Sequence, residues 1–125
     1  MTVTDPMVVW LREAMDAATR RAEAAAAETG SAEWEYRAAQ FTHFTLNATG
    51  SPGFMVADVD YLDPAPGKFM ADNDPAAVLR RIAADRKTLD DCDDVLHDFV
   101  FGAFRKLAED TVRNLADGYG WTEGG

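Results

Sequence analysis

After Pro75 the chain contains no proline, and apolar side chains then recur at three-, four- and seven-residue steps for about eight turns. Val78, Ile82, Leu89, Cys92, Leu96, Phe99, Ala103 and Leu107 form one seam at helical spacing, with Asp85 as the position that does not fit. The stretch opens on Asp74, whose carboxylate suits the free N–H groups of a first helical turn. Pro75 follows at the first helical position, where a missing N–H costs nothing. Gly118 is placed to close the stretch. The spacing predicts a helical region over residues 74–117 and a tail over 118–125 that frays unless Trp121 pins it. The region is either one long helix or two helices broken near Gly102. A glycine in a helix interior costs roughly 1 kcal/mol relative to alanine, too little by itself to force a break.

The segments before Pro75 differ in character. Asp5 and Pro6 repeat the cap-and-proline opening, and Met7, Val8, Leu11, Met15, Ala18 and Ala22 line one face of a helix expected over about 6–28, with Gly30 as its stop. From about 33 to 62 aromatic and β-branched residues gather: Trp34, Tyr36, Phe41, Phe44 and Thr45, then Phe54, Val56, Val59 and Tyr61. Two such runs flank the turn-forming string NATGSPG, which predicts a β-hairpin or a three-stranded meander packed on the helices. In the later run neither alternating set is cleanly polar. LDPAPGKF, with two prolines and a glycine, reads as a linker. The expected fold class is therefore α+β and mostly helical, as a single domain over 1–125.

Composition narrows the function classes. An apolar fraction of 47% supplies enough side chain to offset the entropy of ordering a chain of 125 residues. Acidic residues outnumber basic ones 22 to 12, for a net charge of −10. Such a surface repels phosphate backbones and anionic lipid, so direct nucleic-acid binding and membrane attachment are not expected. No apolar run is long enough to span a bilayer. Cys92 is the sole cysteine, which rules out an internal disulfide and a cysteine cage for a metal. With no basic stretch leading into an apolar run near the N-terminus, a cytoplasmic location is expected.

Several clusters were candidates for chemistry. In DDCDDVLHD, the side chains of Asp90, Asp94 and His97 share one side of a helix, and an acid-x-x-His pair at that spacing can hold a divalent metal in a bundle. Glu13 and Asp16 on the first helix would have to complete the site, and a solvated acidic face explains the cluster more simply. Asp72, Asn73, Asp74 and Pro75 lack the glycine and glutamate of a calcium loop, so a helix cap is the better reading. Cys92 among aspartates has its thiolate disfavoured and reads as structural. His43, in FTHFT, has no serine nucleophile or glycine elbow to work with. Arg80, Arg81, Arg86 and Lys87 have Asp85, Asp90 and Asp91 at helix-pair spacing, so pairing within the helix is expected. No catalytic, cofactor or metal residue is assigned, and no cofactor is expected.

The string FMADNDPAAVLRRIAADRKTLDDC resembles a signature of a family of small uncharacterised proteins from Streptomyces-like actinobacteria and their phages. The N-terminal MVVWLREAMDAATRRAEAAAAE, the tryptophan-containing AEWEY and the final LADGYGW are similar in order to the rest of that family's pattern. The chain departs from it at Phe69-Met70, where a histidine–isoleucine pair is common, and in lacking a Cys/His-containing insertion before the final helix. The resemblance implies a domain of unknown function and carries no chemistry.

What remains is a non-enzymatic protein-interaction module, phage- or prophage-encoded in one version of the reading. An uninterrupted helix over 74–117 would outrun what one short helix and a hairpin can cover, so the reading includes a homodimer through that region. Two alternatives compete with it. One is an acidic mimic of nucleic acid, motivated by the net charge and the row Asp90–Asp94; the other is a metal-dependent enzyme using Asp90, Asp94 and His97.

Overall fold

The computed structural model describes residues 5–40, 43–50, 54–60, 64–98 and 102–122. The elements run α1 (Asp5–Thr29), β1 (Trp34–Gln40), β2 (His43–Ala48), β3 (Phe54–Asp60), α2 (Pro64–Asp72), α3 (Pro75–His97) and α4 (Gly102–Gly118). The α+β, mostly helical class is that of the structure. The chain divides into two compact units, one of Met1–Ala18 with Ile82–Gly125 and one of Thr19–Arg81. No described helix is long and apolar enough to cross a membrane.

The first unit is built from helices. Arg12 of α1 reaches Asp90 and Asp93 of α3, and Asp16, one turn further on, reaches Arg86, one turn earlier, so these stretches run antiparallel. The contacts between α3 and α4 also descend on one helix as they rise on the other. Arg105 donates to the Leu96 carbonyl at 3.0 Å, Thr111 lies beside Cys92, and Tyr119 donates its hydroxyl proton to Asp85 Oδ2 at 2.7 Å. Leu11, Met15, Leu89 and Val112 are fully buried, each contributing roughly 1.5–3 kcal/mol of burial. Met7, Val8, Ile82 and Leu96 extend this core. The α1 face read from spacing is thus the buried one, with Ala18 only half-buried.

The region 74–117 is two helices, with Gly102 opening the second. The apolar seam holds along α3 through Ile82, Leu89, Cys92 and Leu96, while Val78 is half-buried. It does not continue into α4, where Ala103 and Leu107 are exposed and the buried face is Ala108, Val112 and Ala116. Turning back lets α4 close on α3 with a new phase, a packing that one continuous helix cannot make. Asp85, the misfit of the seam, is the acceptor for Tyr119. Phe99 lies outside the described residues.

The C-terminal stop is also displaced from its expected place. Trp121 N–H bonds the Ala116 carbonyl at 2.9 Å and Gly120 N–H bonds Asp117 at 3.1 Å, the paired 6→1 and 5→2 bonds of a Schellman cap. Gly120, at φ 95°, is therefore the left-handed cap residue, whereas Gly118 is still helical. This cap delivers Trp121 edge-on to Trp10, with ring centroids 5.2 Å apart, so the tail is pinned at Trp121. The remaining tail residues, 123–125, are not among those described.

In the second unit β1, β2 and β3 form an antiparallel sheet in that order, the three-stranded form of the expectation. The ambiguous alternation in β3 has a specific cause. Leu46 pairs with Ala57 but Asn47 pairs with Met55, so Val56 is an extra residue and the strand changes phase there. Phe54, Ala57 and Val59 consequently take register positions opposite Ala48, Leu46 and Phe44. Phe41 and Tyr61 lie outside the described residues.

The stretch read as a linker is the helix α2, which packs on β1 and β2. Its prolines at 64 and 66 sit in the first turn, where backbone N–H groups have no helical acceptor to lose. Gly67 is buried against the Tyr36 ring, and a Cβ there would overlap that ring. The composition signalled a break, but every breaker falls where a helix tolerates it or where close packing requires it.

Asp74 ties α3 to the sheet. Its Oδ1 accepts from Ala77 N–H at 2.8 Å and its Oδ2 from Trp34 N–H at 2.9 Å, while Ala76 N–H donates to the Ala32 carbonyl. With Pro75 lacking an N–H and Val78 bonded to the Asp74 carbonyl, the first turn of α3 has no donor left over. α1 ends as expected at Gly30, with φ 82°. The helix begins at Asp5, whose side chain is not among those described.

Candidate functional site

The acidic stretch of α3 is organised by a cation. Arg12 Nη1 lies 2.8 Å from Asp90 Oδ1 and Nη2 lies 3.2 Å from Asp93 Oδ2, so one guanidinium bridges two carboxylates a turn apart. The Asp90 hydrogen bond is the main reason that the Arg12 pKa is raised, against the opposing effect of burial. His97 Nδ1 is 2.8 Å from the Asp93 carbonyl and 3.1 Å from its carboxylate, within the same helix. Asp16 holds Arg86 at 2.8 Å, and Glu13 is exposed.

Of the groups weighed for a metal, Asp90 pairs with Arg12, Asp16 with Arg86 and His97 with Asp93, while Asp94 and Glu13 are exposed. Among the described residues no group of three or more histidine, cysteine, aspartate or glutamate side chains could hold a metal ion. The Asp72–Pro75 string is the α3 cap just described. Arg86 reaches Asp16 on α1, a long-range partner that spacing within the helix does not supply; Arg80, Arg81 and Lys87 are exposed. His43 opens β2 opposite Gln40 and Asp60, and its side chain lies outside the described residues.

A surface feature that spacing did not reveal lies between α3 and α4. A groove of about 290 Å³ runs from Thr88 and Thr111 at one end to Val95 and Phe104 at the other. Cys92, Val95 and Ala108 give it an apolar lining, and Phe104 and Leu107 stand along its α4 side with 65% and 66% of their surface exposed. α4 thus buries Ala108, Val112 and Ala116 and displays the larger Phe104 and Leu107. Burial raises the Cys92 thiol pKa, the Asp91 carboxylate raises it further, and a hydrogen bond with Thr111 opposes both. The thiolate is the nucleophilic form, so this position disfavours reactivity.

The groove was hidden because Leu107 continues the α3 spacing so well that it reads as core. A clue was present in the i, i+4 row of Ala108, Val112 and Ala116, a second helical phase made of small residues. Two further apolar side chains, Phe69 and Met70 of α2, are exposed at the place where the chain departs from the histidine–isoleucine pair.

Fold and site together define a mostly helical α+β protein with an apolar interhelical groove. The chain belongs to the family described as "Family of unknown function (DUF6221)", whose model matches residues 4–120. No curated protein and no solved structure matches the chain.

Proposed function

We propose that the chain is a non-enzymatic interaction module that acts in the cytoplasm and docks a helix of another protein in the groove between α3 and α4. The exposure of Phe104 and Leu107 beside an apolar recess carries this reading, because large apolar side chains turned to water along such a recess mark a surface on which a partner packs. The occupant is a helix because the groove lies between two antiparallel helices, where a further helix completes a bundle. An actinobacterial or actinophage source belongs to the same reading and draws on the DPAAVLRRIAADR string. A homodimer through 74–117 needs an uninterrupted helix there, whereas the region folds as α3 and α4.

The test is comparative capture from an extract of the source organism. Wild type, Leu107→Asp and Val9→Asp serve as baits; Val9 is 59% exposed on α1 and does not line the groove. The reading expects a partner retained in stoichiometric amount by wild type and Val9→Asp and lost with Leu107→Asp. Retention indifferent to Leu107, or no partner at all, overturns it.

A further inference from the structure

We infer that the helix received by the α3–α4 groove is a basic amphipathic one, with apolar residues on one face and lysine or arginine on its flanks; this rests on the docking reading above. The argument is charge complementarity around an apolar lining. Asp91 lines the groove, Asp94 stands one turn further on, between the Asp91 and Asp90 sides of α3 in helical projection, and Asp98 follows just past the end of the helix. All three are exposed. On the α4 side Asp110 is exposed next to Leu107 in helical projection and is paired with Lys106 at 2.9 Å, so the uncompensated acidic edge is the α3 one. The aspartates that meet α1, Asp90 and Asp93, face away from this side and are held by Arg12.

A partner entering here buries apolar surface next to carboxylates. Lysine or arginine at its flanks gives Asp91 and Asp94 partners, whereas acidic or neutral flanks leave them to be desolvated uncompensated. A second copy of this chain brings the same acidic rim and a net charge of −10, so it is disfavoured by the same term. The stretch from Thr88 to Val95 is about 10 Å long, two turns of helix. The apolar anchors of the partner accordingly fall at i, i+4 and i+7, facing Cys92, Val95, Leu107 and Ala108.

The test uses three model helices of roughly 18 residues that share one leucine face and carry lysine, glutamine or glutamate on the flanks. Each is titrated into the full chain while the methyl resonances of Val95, Leu107 and Ala108 are followed, and affinity is measured by calorimetry. The proteins are wild type, Leu107→Asp, the double variant Asp91→Lys/Asp94→Lys, and Glu23→Lys as an exposed charge change in the other unit.

The expected result is that the lysine peptide binds wild type and Glu23→Lys alike, shifts the groove methyls, and weakens by about tenfold or more with the rim reversal and with added salt. Leu107→Asp removes the methyl shifts and the glutamate peptide does not bind. If lysine and glutamine peptides bind equally, rim reversal has no effect and Leu107→Asp still abolishes binding, the basic-partner inference is overturned while the groove reading stands. If binding survives Leu107→Asp, or no peptide moves the groove methyls, both fall. Self-association abolished by Leu107→Asp would make a second copy the occupant and likewise overturn the inference.

Discussion

The Asp74 carboxylate holds the backbone N–H of Trp34 at 2.9 Å while its other oxygen caps α3 at Ala77. One buried side chain thereby starts a helix and fixes the first residue of the sheet, forty positions earlier in sequence. Substituting Asp74 by alanine removes a cap worth about 1 kcal/mol and leaves a part-buried N–H unpaired at about 1–3 kcal/mol. Denaturant unfolding should register a loss of roughly 2–4 kcal/mol. Asp74→Asn is the sharper test, because asparagine caps a lone helix as well as aspartate but has only one side-chain oxygen. Asn at full wild-type stability would show that the Trp34 bond contributes nothing.

The position of the C-terminal cap separates two glycines two residues apart. Gly120→Ala forces a β-carbon into left-handed backbone and should destabilise by about 1–2 kcal/mol, with loss of the Trp10–Trp121 contact visible in the near-ultraviolet circular dichroism. Gly118→Ala lies inside the helix and should instead stabilise by about 0.5–1 kcal/mol. The opposite pattern would return the cap to Gly118.

Two residues of α4 report on whether the region is one helix or two. With α4 in its own phase, Leu107→Ser should change stability by no more than about 0.5 kcal/mol, whereas Val112→Ala empties a fully buried site and should cost roughly 1–3 kcal/mol. A continuous seam through Leu107 predicts the reverse order. Thermal and denaturant unfolding of the two variants decide it.

The Cys92 thiol gives stability an alkaline limit. Burial raises its folded-state pKa, so the native chain keeps the proton where the unfolded chain has lost it. The contribution is intact below the ordinary thiol range and is lost as pH rises above about 8.5 through the folded value. Wild-type stability should fall with pH in that window more steeply than that of Cys92→Ala, and alkylation of Cys92 in the native chain should be slow until that range is passed. Equal slopes for the two proteins would show that the thiol does not titrate differently on folding.

Local chemistry explains how much was legible beforehand. The apolar face of α1, the Asp74–Pro75 start of α3 and the α3 seam were readable, because each depends on residues within a few turns of one another. The α2 helix was not, since two prolines and a glycine look alike in a linker and in a first turn packed on Tyr36. The bulge at Val56 was not either: only pairing with β2 shows which residue is extra. The groove escaped because Leu107 has the right spacing for a helix that does not continue.

The sequence by itself determined where α1 and α3 begin, which face of each is apolar, and the acidic character of the surface. These follow from dihedral preference, periodicity and charge, which act over short chain distances. Tertiary structure decided what those pieces do. Arg12 draws Asp90 and Asp93 into an ion-pair bridge, Tyr119 explains Asp85, and the packing of α4 on α3 places Phe104 and Leu107 outside and Ala108 and Ala116 inside. Each depends on groups far apart in the chain, whose meeting is set by the packing of whole helices and not by any local preference.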